Sequence, residues 1–222
     1  MENHFDIGLG ELRQKLLLMA SRAETSVNDA VQALMQRSFD LANKVRADDD
    51  IIDQFEVEID EMAILLLTRA PLASNLRLVT VAMKVSQNLE RIGDEATKIA
   101  KRARDLAQEP PVKISLDLPR LAGMALAMVK DSLDSFVQRD SAAARALIPR
   151  DKEVDALNRE MHAQLAQYMM EHPETIARCL HWIVAAKSLE RIADHAKNIA
   201  EEVVYLCEAQ DIRHHQHRPV GS

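Results

Sequence analysis

The side chains of this 222-residue sequence best suited to chemistry are carboxylates, and they come in rows. Glu90 and Asp94 stand one helical turn apart, as do Asp49 and Asp53, and Glu56 and Asp60 extend that second row. Later in the chain Glu190 and Asp194 are followed by Asn198 and Glu201, while Asp151 and Asp155 are followed by Asn158 and His162. Ionised carboxylates four apart on a helix repel by about 0.2–0.5 kcal/mol per pair, so a doubled arrangement that occurs twice demands a counter-charge. Oxygen ligands with an added Asn or His suit hard cations such as Mg²⁺, Mn²⁺ or iron, and one helical turn sets i and i+4 ligands side by side. The plainer alternative is a solvated helix face whose acids pair with Arg91, Arg191, Lys84 and Lys187. At this level both readings stand.

Other chemistries find little support. No glutamate has a histidine three residues later, which argues against a buried di-iron bundle. There is no glycine-rich phosphate loop, nucleophile elbow or Ser-His-Asp pattern, so the chain reads as a non-enzyme. The competing reading is a metal-dependent phosphohydrolase or a metal store, for which only His162 and His195 offer an acid or base outside the rows. His214, His215 and His217 fall in a polar terminal stretch. A net charge of −7 and 3% aromatic residues supply neither the phosphate-neutralising nor the stacking equipment for nucleic acid. Cys179 and Cys207 match no disulfide framework, which suits a reducing cytosol. The N-terminus lacks the features of a signal peptide. The longest apolar run, Ala63 to Leu67, is too short for a bilayer, so membrane contact is expected only through partners.

The acid rows need helices to hold them, and the composition supplies helices: five glycines and seven prolines leave little turn material for a many-stranded fold. Leu89-Glu90-Arg91-Ile92-Gly93-Asp94 recurs as Leu189-Glu190-Arg191-Ile192-Ala193-Asp194. Upstream, Ile52-Asp53 matches Val154-Asp155, Gln36-Arg37 matches Gln138-Arg139 and Pro71 matches Pro173. Copies of about 100 residues exceed solenoid repeats, so each should be a small bundle. In the third stretch of the first copy Leu78, Ala82, Val85, Leu89, Ile92, Ala96, Ile99, Ala103 and Leu106 step by four and three, a heptad seam kept in the second copy from Trp182 to Leu206. Ile52, Phe55, Ile59, Met62 and Leu66 mark the middle helix, and Leu9, Leu12, Leu16, Met19, Ala23, Ala30 and Leu34 the first. At about 100° per residue, Glu90 and Asp94 lie away from the seam, and the middle-helix acids can face the same groove. The fold class is therefore all-α, with two tandem, pseudo-symmetric three-helix bundles and six main helices. The boundaries expected are 1–109 and 112–210, broken at Pro110-Pro111, followed by a flexible tail over 211–222.

The twin Leu-Glu-Arg-Ile-(Gly/Ala)-Asp segments, each opening a run that ends Ile-Ala, together with the upstream Ile-Asp and Val-Asp segments, resemble the PhoU family of bacterial phosphate-signalling regulators. The resemblance implies two similar three-helix bundles with multinuclear clusters of divalent or trivalent metal ions (iron, manganese, magnesium or zinc) on their surfaces. Carried over, Asp49, Asp53, Glu90 and Asp94 would serve one cluster, with Glu56 beside them, and Asp151, Asp155, Glu190 and Asp194 the other, with Asn198 and Glu201 beside them. Lys98 and Lys101 stand where the second copy has Asn198 and Glu201, which makes the second site the better expected binder. The implied function is negative regulation of the phosphate-starvation response, limiting phosphate uptake. The implied partners are the ATPase subunit of a phosphate ABC transporter and a sensor histidine kinase, met by a cytoplasmic homodimer peripheral to the membrane.

Overall fold

The computed structural model describes residues 4–68 and 73–213. Its elements are α1 (His4–Gln36), α2 (Phe39–Leu67), α3 (Ala73–Ala107), α4 (Leu118–Gln138), the short α5 (Ser141–Leu147), a 3₁₀ turn (Ile148–Arg150), α6 (Asp151–Glu171), a second 3₁₀ turn (Pro173–Thr175) and α7 (Ile176–Glu208). The described residues contain no strand, and none of their helices is long and apolar enough to cross a membrane. The heptad seam of α3 is buried from Ala82 to Leu106, with Leu78 half-buried at its start. The stripes of α1 and α2 close against it.

The repeat seen in the sequence is a repeat in the backbone. Arg37 and Arg139, which end the first helix of each copy, both adopt the left-handed conformation, with φ of 56° and 54°. Each is followed by an N-cap: Ser38 Oγ accepts from the Leu41 amide, and Asp140 Oδ1 accepts from the amides of Ala142 and Ala143. The middle helix then differs. α2 runs unbroken, whereas Pro149, standing where α2 has Ala47, cannot donate an amide hydrogen bond and divides its counterpart into α5, a 3₁₀ turn and α6. Three helices were expected in the second copy, and proline chemistry adds a fourth short one. Pro119 sits in the first turn of α4, where its missing N–H has no helical partner to lose. Pro71 and the histidines at 214, 215 and 217 lie outside the described residues.

The bundles do not merely hang from the proline linker. α3 and α7 pack along each other, and the buried apolar residues form one continuous core through both bundles. The two helices run antiparallel. Along α3, Arg77 donates to the Leu206 carbonyl (3.4 Å) and Lys84 pairs with Glu202 (3.0 Å). Asn88 Oδ1 then meets His195 Nδ1 (3.0 Å), Glu95 meets Arg191 (3.4 Å) and Arg102 meets His181 (3.2 Å).

Candidate functional site

In the first bundle the acidic row of α2 faces that of α3. Gly93 makes this approach possible. A Cβ there would stand 2.9 Å from Ile52 Cδ1 and 3.5 Å from Asp49 Oδ1, so the missing methyl lets α3 settle onto α2 beside the carboxylate. In the second bundle Ala193, fully buried, carries that methyl, and its counterpart of Ile52 is Val154, one methylene smaller.

The carboxylates brought together perturb one another. Burial first, then the charges of Asp53 and Asp94, raise the pKa of Asp49 above the ordinary aspartate value. Glu56 is raised by burial and by Asp60, Asp53 and Asp94, and Glu90 by burial and by Asp94, Glu56 and Asp53; Arg91 opposes both. Arg91 reaches Glu90 Oε2 at 3.3 Å and Asp94 Oδ2 at 3.2 Å from the exposed rim. In the second bundle burial, with the charges of Asp151, Glu190 and Asp155, pushes Asp194 up to about 6. Asp151 is buried. Lys197 Nζ lies 2.8 Å from its Oδ2, and its Oδ1 has no hydrogen-bond partner. Lys187 Nζ lies 2.5 Å from Glu190 Oε2 as an ion pair without hydrogen-bond alignment.

Two residues of the expected sets stand elsewhere. Asn198 Nδ2 reaches Asn88 Oδ1 of α3 at 3.4 Å, and Glu201 interacts with Lys197 and Arg213 rather than with the four acids. The lysines set against the first site also differ from expectation. Lys98 turns to Glu95 Oε1 at 2.8 Å, and Lys101 shares a shallow surface pocket with Arg46, Arg104 and Asp105. Besides Lys187, a second cation enters the acidic row of the second bundle, Lys197, which is not among the pairings the sequence suggests. Its place three residues after Asp194 on one helix was the available signal. Buried Asn158 Oδ1 and half-buried His162 Nε2 on α6 likewise lack partners.

The donor set is hard oxygen throughout, and the raised acids hold negative charge that a cation would relieve, so the residues suit a hard metal ion in kind. Among the described residues no three Asp, Glu, His or Cys groups converge closely enough to hold an ion as the side chains stand. A bound cation would have to draw them together.

The PhoU domain model matches residues 16–103 and again 118–203, one match per bundle. A phosphate-specific transport system accessory protein PhoU homolog of Pseudomonas putida is 42% identical over 216 residues, 96% of this chain and 84% of that protein. The accessory protein PhoU of Escherichia coli is 34% identical over 215 residues, 96% and 89% of the two chains. The crystal structure of PhoU from Pseudomonas aeruginosa superposes with a TM-score of 0.90 at 41% identity, covering 93% of this chain and all of that one. The phosphate transport system regulatory protein PhoU from Streptococcus pneumoniae superposes with a TM-score of 0.87 at 26% identity, over 94% and 99%. With its motif present in both halves and its fold shared from end to end, this chain belongs to the PhoU family.

Proposed function

We propose that this protein is a negative regulator of the phosphate-starvation response, a non-enzymatic adaptor between a phosphate ABC transporter, through its ATPase subunit, and a sensor histidine kinase. It acts as a cytoplasmic homodimer that reaches the membrane through these partners and limits phosphate uptake when phosphate is plentiful. The observation that carries this reading is similarity over 96% of the chain to proteins named as accessory to phosphate-specific transport. The long helical faces support an adaptor role, because amphipathic helices dock helix-in-groove and acidic surfaces steer basic partners.

Metal ions belong to the same proposal. Asp49, Asp53, Glu56, Glu90 and Asp94 would hold one group, and Asp151, Asp155, Glu190 and Asp194 another. A cation at either place would neutralise crowded carboxylates and fix the middle helix of its bundle to the third. Deleting the gene in its host should derepress phosphate-starvation genes in phosphate-rich medium, and reintroducing it should restore repression. Unchanged expression in the deletion strain would overturn the regulatory reading.

A further inference from the structure

The two acidic clusters carry unequal internal counter-charge. In the first, five carboxylates (Asp49, Asp53, Glu56, Glu90 and Asp94) face one cation, Arg91, whose side chain is 62% exposed at the rim. In the second, four carboxylates face two cations, Lys187 and Lys197. The Lys197 ammonium sits 2.8 Å from Oδ2 of Asp151, whose side chain is only 9% exposed. That leaves the other oxygen of Asp151 buried, inside the cluster and without a partner. At the equivalent place the first bundle has Thr97, a neutral hydroxyl beside Asp49. Lys187 corresponds likewise to the neutral Gln87.

We propose that Lys197 is an internal counter-ion standing in the second cluster where a metal ion would otherwise sit, so that the first cluster fills first and the second fills only as Lys197 is displaced. This rests on the metal reading above. An incoming divalent cation at the second cluster meets a positive charge already in contact with a buried ligand, and it must break that contact before using both Asp151 oxygens. At the first cluster no buried ammonium has to move, and Arg91 can swing into solvent. The order of filling is the reverse of what Lys98 and Lys101 suggest in the sequence, since Lys98 is committed to Glu95.

Mn²⁺ added to the full chain after chelator treatment tests this, with bound and free ion separated by equilibrium dialysis. Two classes of site are expected, the tighter by about tenfold or more. The pair Glu90→Gln with Asp94→Asn should abolish the tight class. Lys197→Thr should strengthen the weak class about tenfold and leave the tight one alone, while Lys197→Arg, which keeps the charge, should leave both as they are. A weak class unmoved by Lys197→Thr in a protein of native helicity, or a tight class that survives loss of Glu90 and Asp94, would overturn the counter-ion assignment while leaving metal binding intact. No Mn²⁺ retained by any of the proteins would remove the metal reading itself and this inference with it.

Discussion

Asp194 shows at a single residue what crowding does in this surface. Its pKa, about 6, comes first from burial and then from Asp151, Glu190 and Asp155, with Lys197 pulling the other way. The proton is therefore held in the folded protein through a window, from the ordinary 3.8 up to about 6, in which the unfolded chain has lost it. The stability this contributes is fully present below the ordinary value and is lost as pH rises through 6. In metal-free protein Asp194→Asn should raise the melting temperature at pH 8 and leave it nearly unchanged at pH 4. Solvent screening of a half-buried group limits the gain to about 1 kcal/mol, or roughly 2–4 °C for a chain of this size. Equal shifts at both pH values in scanning calorimetry would show that the neighbours do not strain this carboxyl. Residue spacing made Glu190 and Asp194 legible as a row, but the same logic carried the row on to Asn198. Each i+4 step turns about 40° around the helix, so two steps bring Asn198 round to the α3 side, where Asn88 takes it. Glu201 keeps the right angle but lies about 10 Å further along the axis from Asp194, near Arg213.

Between elements, the distance from the third helix to the middle one is set by small residues. Val79, Ser86, Gly93 and Ala100 on α3 are all buried at heptad spacing, and Cys179, Ala186, Ala193 and Ala200 repeat the pattern on α7. This second stripe was not legible as an interface, because Ser, Gly and Ala carry little hydrophobic signal and the eye follows the Leu-Ile seam. Pro149 marks a break by its missing N–H, yet nothing in the sequence says that helix resumes on both sides of it. Gly93 against Ile52 and Ala193 against Val154 are two solutions of equal volume to one packing problem. Gly93→Ala alone should be close to neutral, since roughly 1 kcal/mol of helix propensity is offset by the 2.9 Å approach to Ile52 Cδ1. In an Ile52→Val background the same substitution should be stabilising, with a coupling of about 1 kcal/mol in a double-mutant cycle by chemical denaturation. Strict additivity would mean that α2 and α3 do not meet as tightly here as the geometry requires.

Across the whole molecule, the feature that composition and periodicity concealed is the surface joining the bundles. On α3 it is the row Arg77, Lys84, Asn88, Glu95 and Arg102, which looks like a solvated face. Here polarity misleads: Glu95 and Glu202 are 3% and 5% exposed, each held by cations, and Lys84 and Arg213 close on Glu202 from two sides at 3.0 Å. Because these side chains keep their hydration when separated, while the Leu-Ile seam of α3 points into its own bundle, the interface is not what holds either bundle's core together. Apolar residues of the two bundles also meet, within the continuous buried core and around a cavity of about 260 Å³ where Phe136 and Val137 of α4 meet Leu9, Leu16 and Leu78. Fragments 1–109 and 112–222 should therefore each fold as helical bundles with cooperative transitions at lower temperature than the full chain. Mixed, they should recombine one to one, with the thermal midpoint moving back toward that of the intact protein. Lys84→Met in the first fragment leaves Glu202 with one cation instead of two, and it should weaken recombination about tenfold without altering the fold of that fragment. Sedimentation velocity of the mixture reads both results. Fragments that stay apart at tens of micromolar, or that are helical only in each other's presence, would show that the division between the bundles lies elsewhere than along α3 and α7.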